Sequence, residues 1–134
     1  MIWKRIISDE VVYEQVKNKI NEIYTEVIKK EVCNYYGLLG GYSGVLLFLY
    51  YYYKFTKNED VLNKLHSFFN SVYSNFYKEG IGTFCNGYSG ICWLIRFLHK
   101  EGVIESDNID KHLEKIDEIN LKYISYYIEN CDYD

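Results

Sequence analysis

The sequence predicts an all-α fold built from helix pairs. Apolar residues recur at helical spacing along five stretches, and no stretch alternates with the period of two that is typical of a strand. The 134 residues contain no proline, so long helices can run unbroken. Apolar residues make up 49% of the chain, which is enough for a packed core. From the length we expect a single domain over residues 1–134.

The first two predicted helices differ in how much of their surface is apolar. The first spans about 9–30, carries one apolar stripe, and can be capped by Ser8 or Asp9. Glycines in 37–44 then break the chain. The second helix spans about 44–55 and is apolar or aromatic on every side, so we expect other helices to surround it.

The remaining three helices repeat this alternation. The third begins after a cap at Asn58, spans about 59–78 and has one apolar face. The fourth spans about 90–100, carries little charge, and is ended by Gly102. The fifth follows a cap at Ser106 or Asn108 and again has one apolar stripe with a charged back. The order is therefore amphipathic, buried, amphipathic, buried, amphipathic.

A tetrapeptide, Gly-Tyr-Ser-Gly, occurs twice. The copies begin at Gly41 and Gly87, which are 46 residues apart, the length of a helix-pair repeat. Each copy ends on a second glycine, Gly44 or Gly90, and ten residues ending in Lys follow it. Two glycines on one helix face let a neighbouring backbone approach closely. We therefore interpret all four glycines as structural.

The repeats are predicted to span about 37–80 and 83–130. Repeats of this kind bury their apolar faces only against neighbouring repeats, so two pairs with a leading helix leave an apolar flank open. A third motif at the same period would begin at position 133, where the printed sequence stops. We expect a truncated chain or a half-module that needs a partner, with self-association through the flank near 123–127.

Composition and charge exclude several classes of partner. The net charge of −4 is mild and the basic residues are scattered, so we expect no nucleic-acid partner. The uncharged stretch 32–53 is rich in glycine and tyrosine, which favours a buried helix over a membrane span. The N-terminus lacks the apolar core of a signal peptide, so we expect free thiols and a cytoplasmic location.

Two segments carry a resemblance to a known family. GLLGGYSGVLLFLYYYYKFTKNEDVL and GTFCNGYSGICWLIRFLHKEGVIE resemble the opening repeats of lanthionine synthetase C-like proteins, the cyclases of lanthipeptide biosynthesis. The resemblance covers roughly residues 37–134. It implies an α/α toroid of seven helix pairs, of which this chain would supply about two and a leading helix. The expected fold is thus an incomplete α/α toroid.

The resemblance also implies a chemistry. Family members bind one zinc ion through two cysteines and a histidine in their C-terminal repeats. The zinc holds a substrate cysteine as a thiolate, which adds to a dehydroalanine or dehydrobutyrine of the same peptide and closes a thioether ring. Metal binding deprotonates a thiol and keeps it near its electrophile.

The zinc ligands are not expected in this chain. The family pattern places a Cys-His pair before a glycine, whereas this chain has Cys85, Asn86 and Gly87, and Asn is a poor zinc ligand. Cys85 is a weak metal candidate, and we interpret it as a packing thiol. Cys92 and His99 follow at seven-residue steps, each about 10 Å along a helix, which is too far for one ion. We expect no cofactor in this chain.

No catalytic residue is assigned from the sequence. A nucleophile, base and acid do not occur together, and His66 and His112 are interpreted as surface or edge residues. Tyr42, Tyr88 and Trp93 can line a cavity, because the inner helices of a toroid face its centre. Core packing is the alternative role for these aromatic residues.

Three functions stay open at this point. The first is a lanthionine synthetase C-like protein for thioether cyclisation, present as an N-terminal portion that is inactive alone. The second is a non-catalytic helical module that binds a precursor peptide, a partner protein or the missing C-terminal repeats. The third is a glycan-processing toroid enzyme, which needs paired carboxylates. Glu59 with Asp60, and Glu114 with Glu118, are poor candidates because they lie on solvated outer helices.

Overall fold

The computed structural model describes residues 6–29, 35–75, 83–105 and 109–130. These residues form helices joined by turns and include no strand, which confirms the all-α prediction. The chain divides into two compact units, residues 1–31 and 32–134. The predicted caps Ser106 and Asn108, and the last predicted turn of the third helix, lie outside the described residues.

The first unit contains one helix, α1 (Glu10–Lys29). Asp9 caps it as predicted, since its Oδ1 accepts hydrogen bonds from the backbone N–H groups of Val11 and Val12 at 2.9 and 3.1 Å. Exposed ion pairs three residues apart follow its surface, and they stabilise a helix only slightly. No residue of α1 is buried.

Four described helices make up the second unit: α2 (Tyr42–Thr56), α3 (Glu59–Asn75), α4 (Tyr88–Lys100) and α5 (Ile109–Asn130). α2 contacts α3, α4 contacts α5, and α2 also contacts α4. The two helices that follow the Gly-Tyr-Ser-Gly motifs therefore lie side by side, and each has its own amphipathic partner. This is the arrangement of two successive helix-pair repeats.

The core of the second unit lies between these helices. Each helix contributes leucine, isoleucine or valine side chains to it, because its apolar residues recur on the face turned inward. The fully buried apolar side chains are Leu46, Leu49, Val61, Leu65, Leu94, Ile95, Leu98, Leu113 and Ile116. Burial of this kind contributes about 1.5–3 kcal/mol per large apolar side chain.

Both helices of the glycine motif begin two residues earlier than predicted. The N-cap residues are Gly41 and Gly87, with φ of −136° and −130°. The motif therefore fills the N-cap and the first three helical positions, instead of ending where the helix starts. Neither N-cap offers a side chain to the free N–H groups, so the packing of the first turn fixes where these helices begin.

Asn58 and Gly102 act at the helix ends as predicted, and the role of Lys57 is seen only in the structure. Asn58 caps α3, because its Oδ1 accepts the N–H of Asp60 at 2.9 Å. Lys57 ends α2 with a positive φ of 56°, and its N–H donates to the carbonyl of Tyr53 at 2.7 Å. Gly102 follows α4 with φ of 68°, which is the left-handed conformation that glycine adopts without strain.

The expectation that α2 is surrounded on every side is wrong. Tyr42, Leu46 and Leu49 are buried on its inner face, but Phe55 is 47% exposed and Tyr51 is also exposed. A helix is covered only where a neighbouring helix contacts it, and the described contacts of α2 are with α3 and α4. The second half of α5 likewise exposes Leu121, Ile124 and Ile128. None of the described helices has the length and apolar character that crossing a bilayer requires.

Candidate functional site

The second glycine of each motif lies directly under its own preceding turn. A Cβ added to Gly44 would lie 2.5 Å from the carbonyl oxygen of Leu38, and one added to Gly90 would lie 2.0 Å from that of Phe84. Leu38 and Phe84 are each six residues before the glycine they cover. The two helix starts therefore have the same local geometry, which only glycine permits at this distance.

The other residues of the first motif hold its turn in place. The Ser43 hydroxyl is buried and donates to the carbonyl of Tyr36. The Tyr42 N–H donates to the carbonyl of Tyr35 at 3.0 Å. A Cβ at Gly41 would lie 2.5 Å from the same Tyr35 oxygen. Glycine and serine thus let the turn fold back over the first helical turn with its carbonyl groups satisfied.

The two helix starts also contact each other. The Leu39 N–H donates to the carbonyl of Cys85 at 3.0 Å. A Cβ at Gly37 would lie 2.5 Å from the Cα of Asn86, so the backbones touch there. The Leu38 side chain reaches to 3.1 Å from the position of a Gly90 Cβ. These contacts, here called the mouth contact, join the first repeat to the second.

The aromatic residues proposed to line a cavity occupy different environments. Tyr42 and Tyr88 are buried, at 3% and 5% exposure, and the Tyr42 ring packs on Phe68 of α3 with centroids 5.6 Å apart. Trp93 is 42% exposed. Only Trp93 of the three therefore presents its ring at the described surface.

Trp93 belongs to a continuous row of aromatic rings across α4 and α2. It stacks on Phe97 with centroids 5.3 Å apart and planes 8° apart, and it meets Phe84 edge-on at 6.1 Å. Phe97 in turn contacts Tyr51 of α2 at 6.3 Å. We call Phe84, Trp93, Phe97 and Tyr51 the aromatic face. Its rings combine large apolar area with few rotatable bonds, which suits contact with a peptide.

A buried tyrosine links the end of α4 to α2. The Tyr50 hydroxyl donates to the Glu101 carboxylate, and the Lys54 Nζ lies 3.8 Å from the same carboxylate oxygen. Burial, and then the bond to Glu101, raises the pKa of Tyr50. The hydrogen bond from Tyr50 lowers the pKa of Glu101. At neutral pH the arrangement is a neutral phenol bonded to a carboxylate that also has a nearby ammonium group.

Beside this group lies an open cleft of about 660 Å³. It is formed by the C-terminal end of α2, one face of α3 and the segment 101–105. Its lining residues are Tyr53, Lys54, Lys57, Leu62, His66, Phe69, Asn70, Glu101, Gly102, Val103, Ile104 and Glu105. The cleft combines aromatic walls with both signs of charge, and the sequence reasoning did not find it because its residues come from distant segments.

His66 has a structural bond at the wall of the cleft. Its Nε2 lies 2.7 Å from the carbonyl oxygen of Val103, so Nε2 carries the proton and donates it. This bond holds the segment after α4 against α3. The interpretation of His66 as an edge residue agrees with its partial burial. The side chain of His112 lies outside the described residues.

The cysteines have contrasting surroundings. Cys85 is exposed, so its interpretation as a packing thiol is wrong: its backbone carbonyl, not its sulfur, makes the mouth contact. Cys92 is buried, and burial followed by the nearby Asp117 carboxylate raises the pKa of its thiol to about 12. Cys33 and Cys131 lie outside the described residues.

The described residues do not fit a zinc ion. Within the ranges that the structure describes, no three His, Cys, Asp or Glu side chains lie close enough to hold a metal. Cys92 and His99 are seven residues apart on α4, a rise of about 10 Å. The carboxylates considered for glycan chemistry, Glu59 with Asp60 and Glu114 with Glu118, are all exposed on α3 and α5.

The fold and the mouth contact define this chain as a helix-pair repeat protein. A comparison with protein-family models matches residues 32–133 to the lanthionine synthetase C-like protein family. The match covers most of the chain, and the chain therefore belongs to this family, as the resemblance of its repeats predicted. Neither a search of curated proteins nor a search of solved structures found a match.

Proposed function

We propose that this chain supplies the leading repeats of a lanthionine synthetase C-like protein that modifies peptides by thioether cyclisation in lanthipeptide biosynthesis. The observation that carries the proposal is the family match over residues 32–133. It falls on a chain whose two Gly-Tyr-Ser-Gly helices lie side by side. The proposed place of action is the cytoplasm, where the cysteines stay reduced.

The proposed role of these repeats is to contact the peptide and not to perform the chemistry. The aromatic face supports this role, because Phe84, Tyr51 and Trp93 are exposed on the inner helices or at their start. Arg96 is exposed on the same helix as Trp93, and its guanidinium donates to the Asp117 carboxylate of α5 at 3.0 Å. Such a surface suits a peptide with apolar residues.

Cyclisation is tested by counting thiols. Addition of a cysteine thiol across a dehydroalanine double bond forms one carbon–sulfur bond, moves the proton to carbon, and leaves the peptide mass unchanged. A dehydrated, cysteine-containing precursor peptide is incubated with the chain and zinc, then alkylated and weighed by mass spectrometry. We expect the chain alone to bind the peptide and leave every thiol open to alkylation. In the same assay, an active lanthionine synthetase C-like cyclase should consume the cysteine thiols, so that alkylation no longer adds mass to the peptide.

Metal analysis of the purified chain accompanies this assay. We expect much less than one zinc per chain, since the described cysteines do not form a ligand set. Stoichiometric zinc together with loss of alkylatable thiols would overturn the proposal that the chain is inactive alone. Failure to bind any dehydrated peptide would count against a role in cyclisation.

The second candidate is a non-catalytic module that binds a peptide or protein. It is favoured by the aromatic face, whose exposed rings can contact a peptide but do not catalyse a reaction. Peptide binding followed by fluorescence anisotropy separates the two candidates. A component of a cyclase should lose affinity when the dehydrated residues are restored to serine, whereas a general binding module should not. Trp93→Ala should weaken binding in both cases, and Leu121→Ala on α5 is the matched control.

A further inference from the structure

We propose that the cleft beside His66 binds a small zwitterion with an apolar body, of the class of short peptides whose amino and carboxyl ends are both free. All residues that line the cleft belong to the second unit, and its volume of about 660 Å³ is typical of small-molecule sites. It lies where α2 and α4 end, whereas the mouth contact lies where they begin. It shares no residue with the aromatic face, so it is a separate site from the surface proposed above to contact a precursor peptide.

The three walls of the cleft differ in charge. The end of α2 contributes two lysines, the segment after α4 contributes two glutamates, and the face of α3 contributes apolar side chains. These residues are Lys54 and Lys57, Glu101 and Glu105, and Leu62 and Phe69. A cationic, an anionic and an apolar wall together complement a ligand that has a carboxylate, an ammonium group and an apolar body.

Each charged wall has one group that is already engaged and one that is available. The Lys54 ammonium lies 3.8 Å from the Glu101 carboxylate, so these two charges largely compensate each other. Among the described residues, no carboxylate forms an ion pair with Lys57, and no cation forms one with Glu105. The Lys57 ammonium lies 5.9 Å from the centroid of the Tyr53 ring, a contact that leaves its N–H groups free to donate. The cleft therefore offers a ligand one cation and one anion on different walls.

The anionic wall, formed by residues 101–105, is held in place by contacts within the protein. The Val103 carbonyl accepts a hydrogen bond from His66 Nε2 of α3 at 2.7 Å. The Glu101 carboxylate accepts the hydroxyl of Tyr50 of α2. Ile104 of the same segment is buried. A ligand that enters a cleft with ordered walls loses less binding free energy to the ordering of the protein.

The two available charges determine the orientation of the ligand. Its carboxylate pairs with the Lys57 ammonium, and its ammonium group pairs with the Glu105 carboxylate. Its apolar side chains lie against Leu62 and Phe69 on the α3 wall. A simple anion or a simple cation would leave one of the two protein charges unpaired, whereas a short peptide with free ends and apolar side chains satisfies all three walls.

Isothermal titration calorimetry of the full chain with leucyl-leucine at neutral pH tests the site from the ligand side. Amidation of the carboxyl end or acetylation of the amino end removes one ligand charge at a time, and each should weaken binding by about two- to fivefold, as expected for a partly exposed ion pair. Glycyl-glycine has both charges but no apolar side chain and should bind at least about tenfold more weakly. The proposal is wrong if leucyl-leucine does not bind at millimolar concentration, or if its doubly blocked form binds as tightly as the free dipeptide.

Two substitutions match each end of the dipeptide to its wall. Lys57→Asn removes the available ammonium group and suits the positive φ of 56° at this position, which asparagine adopts readily. It should weaken binding of the free dipeptide by about two- to fivefold and leave the affinity for the amidated form unchanged. Glu105→Gln should likewise weaken binding of the free dipeptide and leave the affinity for the acetylated form unchanged. If both folded variants lose the same factor for free and blocked dipeptides, these charges do not contact the ligand ends and the proposal is overturned.

Matched control variants change the same charges outside the cleft. Lys64→Gln on α3 and Glu118→Gln on α5 each neutralise an exposed side chain that does not line the cleft. We expect both to bind leucyl-leucine as the unmodified chain does, and circular dichroism should show that all four variants are folded. If the control variants weaken binding as much as the cleft variants do, the dipeptide binds elsewhere and the proposal is wrong.

Discussion

Replacing Gly90 by alanine tests the geometry that both repeats share. The added Cβ would lie 2.0 Å from the carbonyl oxygen of Phe84, whereas Cβ atoms essentially never lie within 3.0 Å of such an atom. The turn before α4 must therefore retreat by about 1 Å or more. That turn also carries the Cys85 carbonyl, which accepts the Leu39 N–H at 3.0 Å. Its displacement loosens the mouth contact as well as the helix start.

The size of the effect follows from opposing contributions. Overpacking against backbone costs about 1–3 kcal/mol, and a weakened buried hydrogen bond adds about 1 kcal/mol. Alanine restricts the unfolded chain and offsets about 0.4–1 kcal/mol of this. We expect Gly90→Ala to lower the free energy of unfolding by about 2 kcal/mol, which corresponds to a Tm roughly 6–10 °C lower for a chain of this length.

Urea unfolding followed by far-ultraviolet circular dichroism measures the change. Gly40→Ala is the matched control, because its Cβ would meet Asn86 Oδ1 at an ordinary 3.6 Å, and we expect a change within about 0.5 kcal/mol. Gly44→Ala should fall between the two, since its clash is with a carbonyl at 2.5 Å. A Gly90→Ala protein as stable as Gly40→Ala would refute the close approach.

Three further predictions concern the tyrosine bond, the cysteines and the core. Folding raises the pKa of Tyr50 and so favours its protonated form, which means that its contribution to stability is present below the ordinary tyrosine pKa and is lost as pH rises beyond it. Urea midpoints should therefore fall between about pH 9 and about pH 11, and fall less in Tyr50→Phe. In native protein at about pH 8, peptide mapping after alkylation should find Cys85 modified well before Cys92, whose buried thiol stays protonated. Leu98→Ala leaves a cavity at a position with no exposure, and we expect a loss of about 2–5 kcal/mol in urea unfolding.

Each of these has an outcome that would contradict it. Equal alkaline sensitivity in wild type and Tyr50→Phe would mean that the bond to Glu101 contributes nothing at these pH values. Alkylation of Cys92 as fast as Cys85 would show that α4 is not packed as described. A Leu98→Ala loss below about 1 kcal/mol would place that side chain outside the core.

The sequence predicted the helices and their ends because those signals are local. The cap residues Asp9 and Asn58 act on N–H groups two or three residues away, and both are seen. Gly102 adopts its positive φ in the turn directly after α4. The two Gly-Tyr-Ser-Gly motifs also predicted that two helices lie side by side, because a repeated motif imposes a repeated contact.

The exposure of individual side chains could not be predicted from such local signals. Leu38 and Phe84 hold the same place in their repeats, yet one is buried and the other is half exposed. Leu38 is covered because it lies against Gly90 of the second repeat, and no local sequence pattern predicts that contact. Cys85 was expected to pack and is exposed.

By itself the sequence determined the all-α class, the repeat of 46 residues and the family, because the spacing of apolar residues and the positions of the glycines can be read directly from it. Only the tertiary structure brought together Tyr50 and Glu101, which are 51 residues apart, and opened the cleft beside His66. Such contacts depend on how helix pairs stack, and stacking is decided by the combined burial of many side chains.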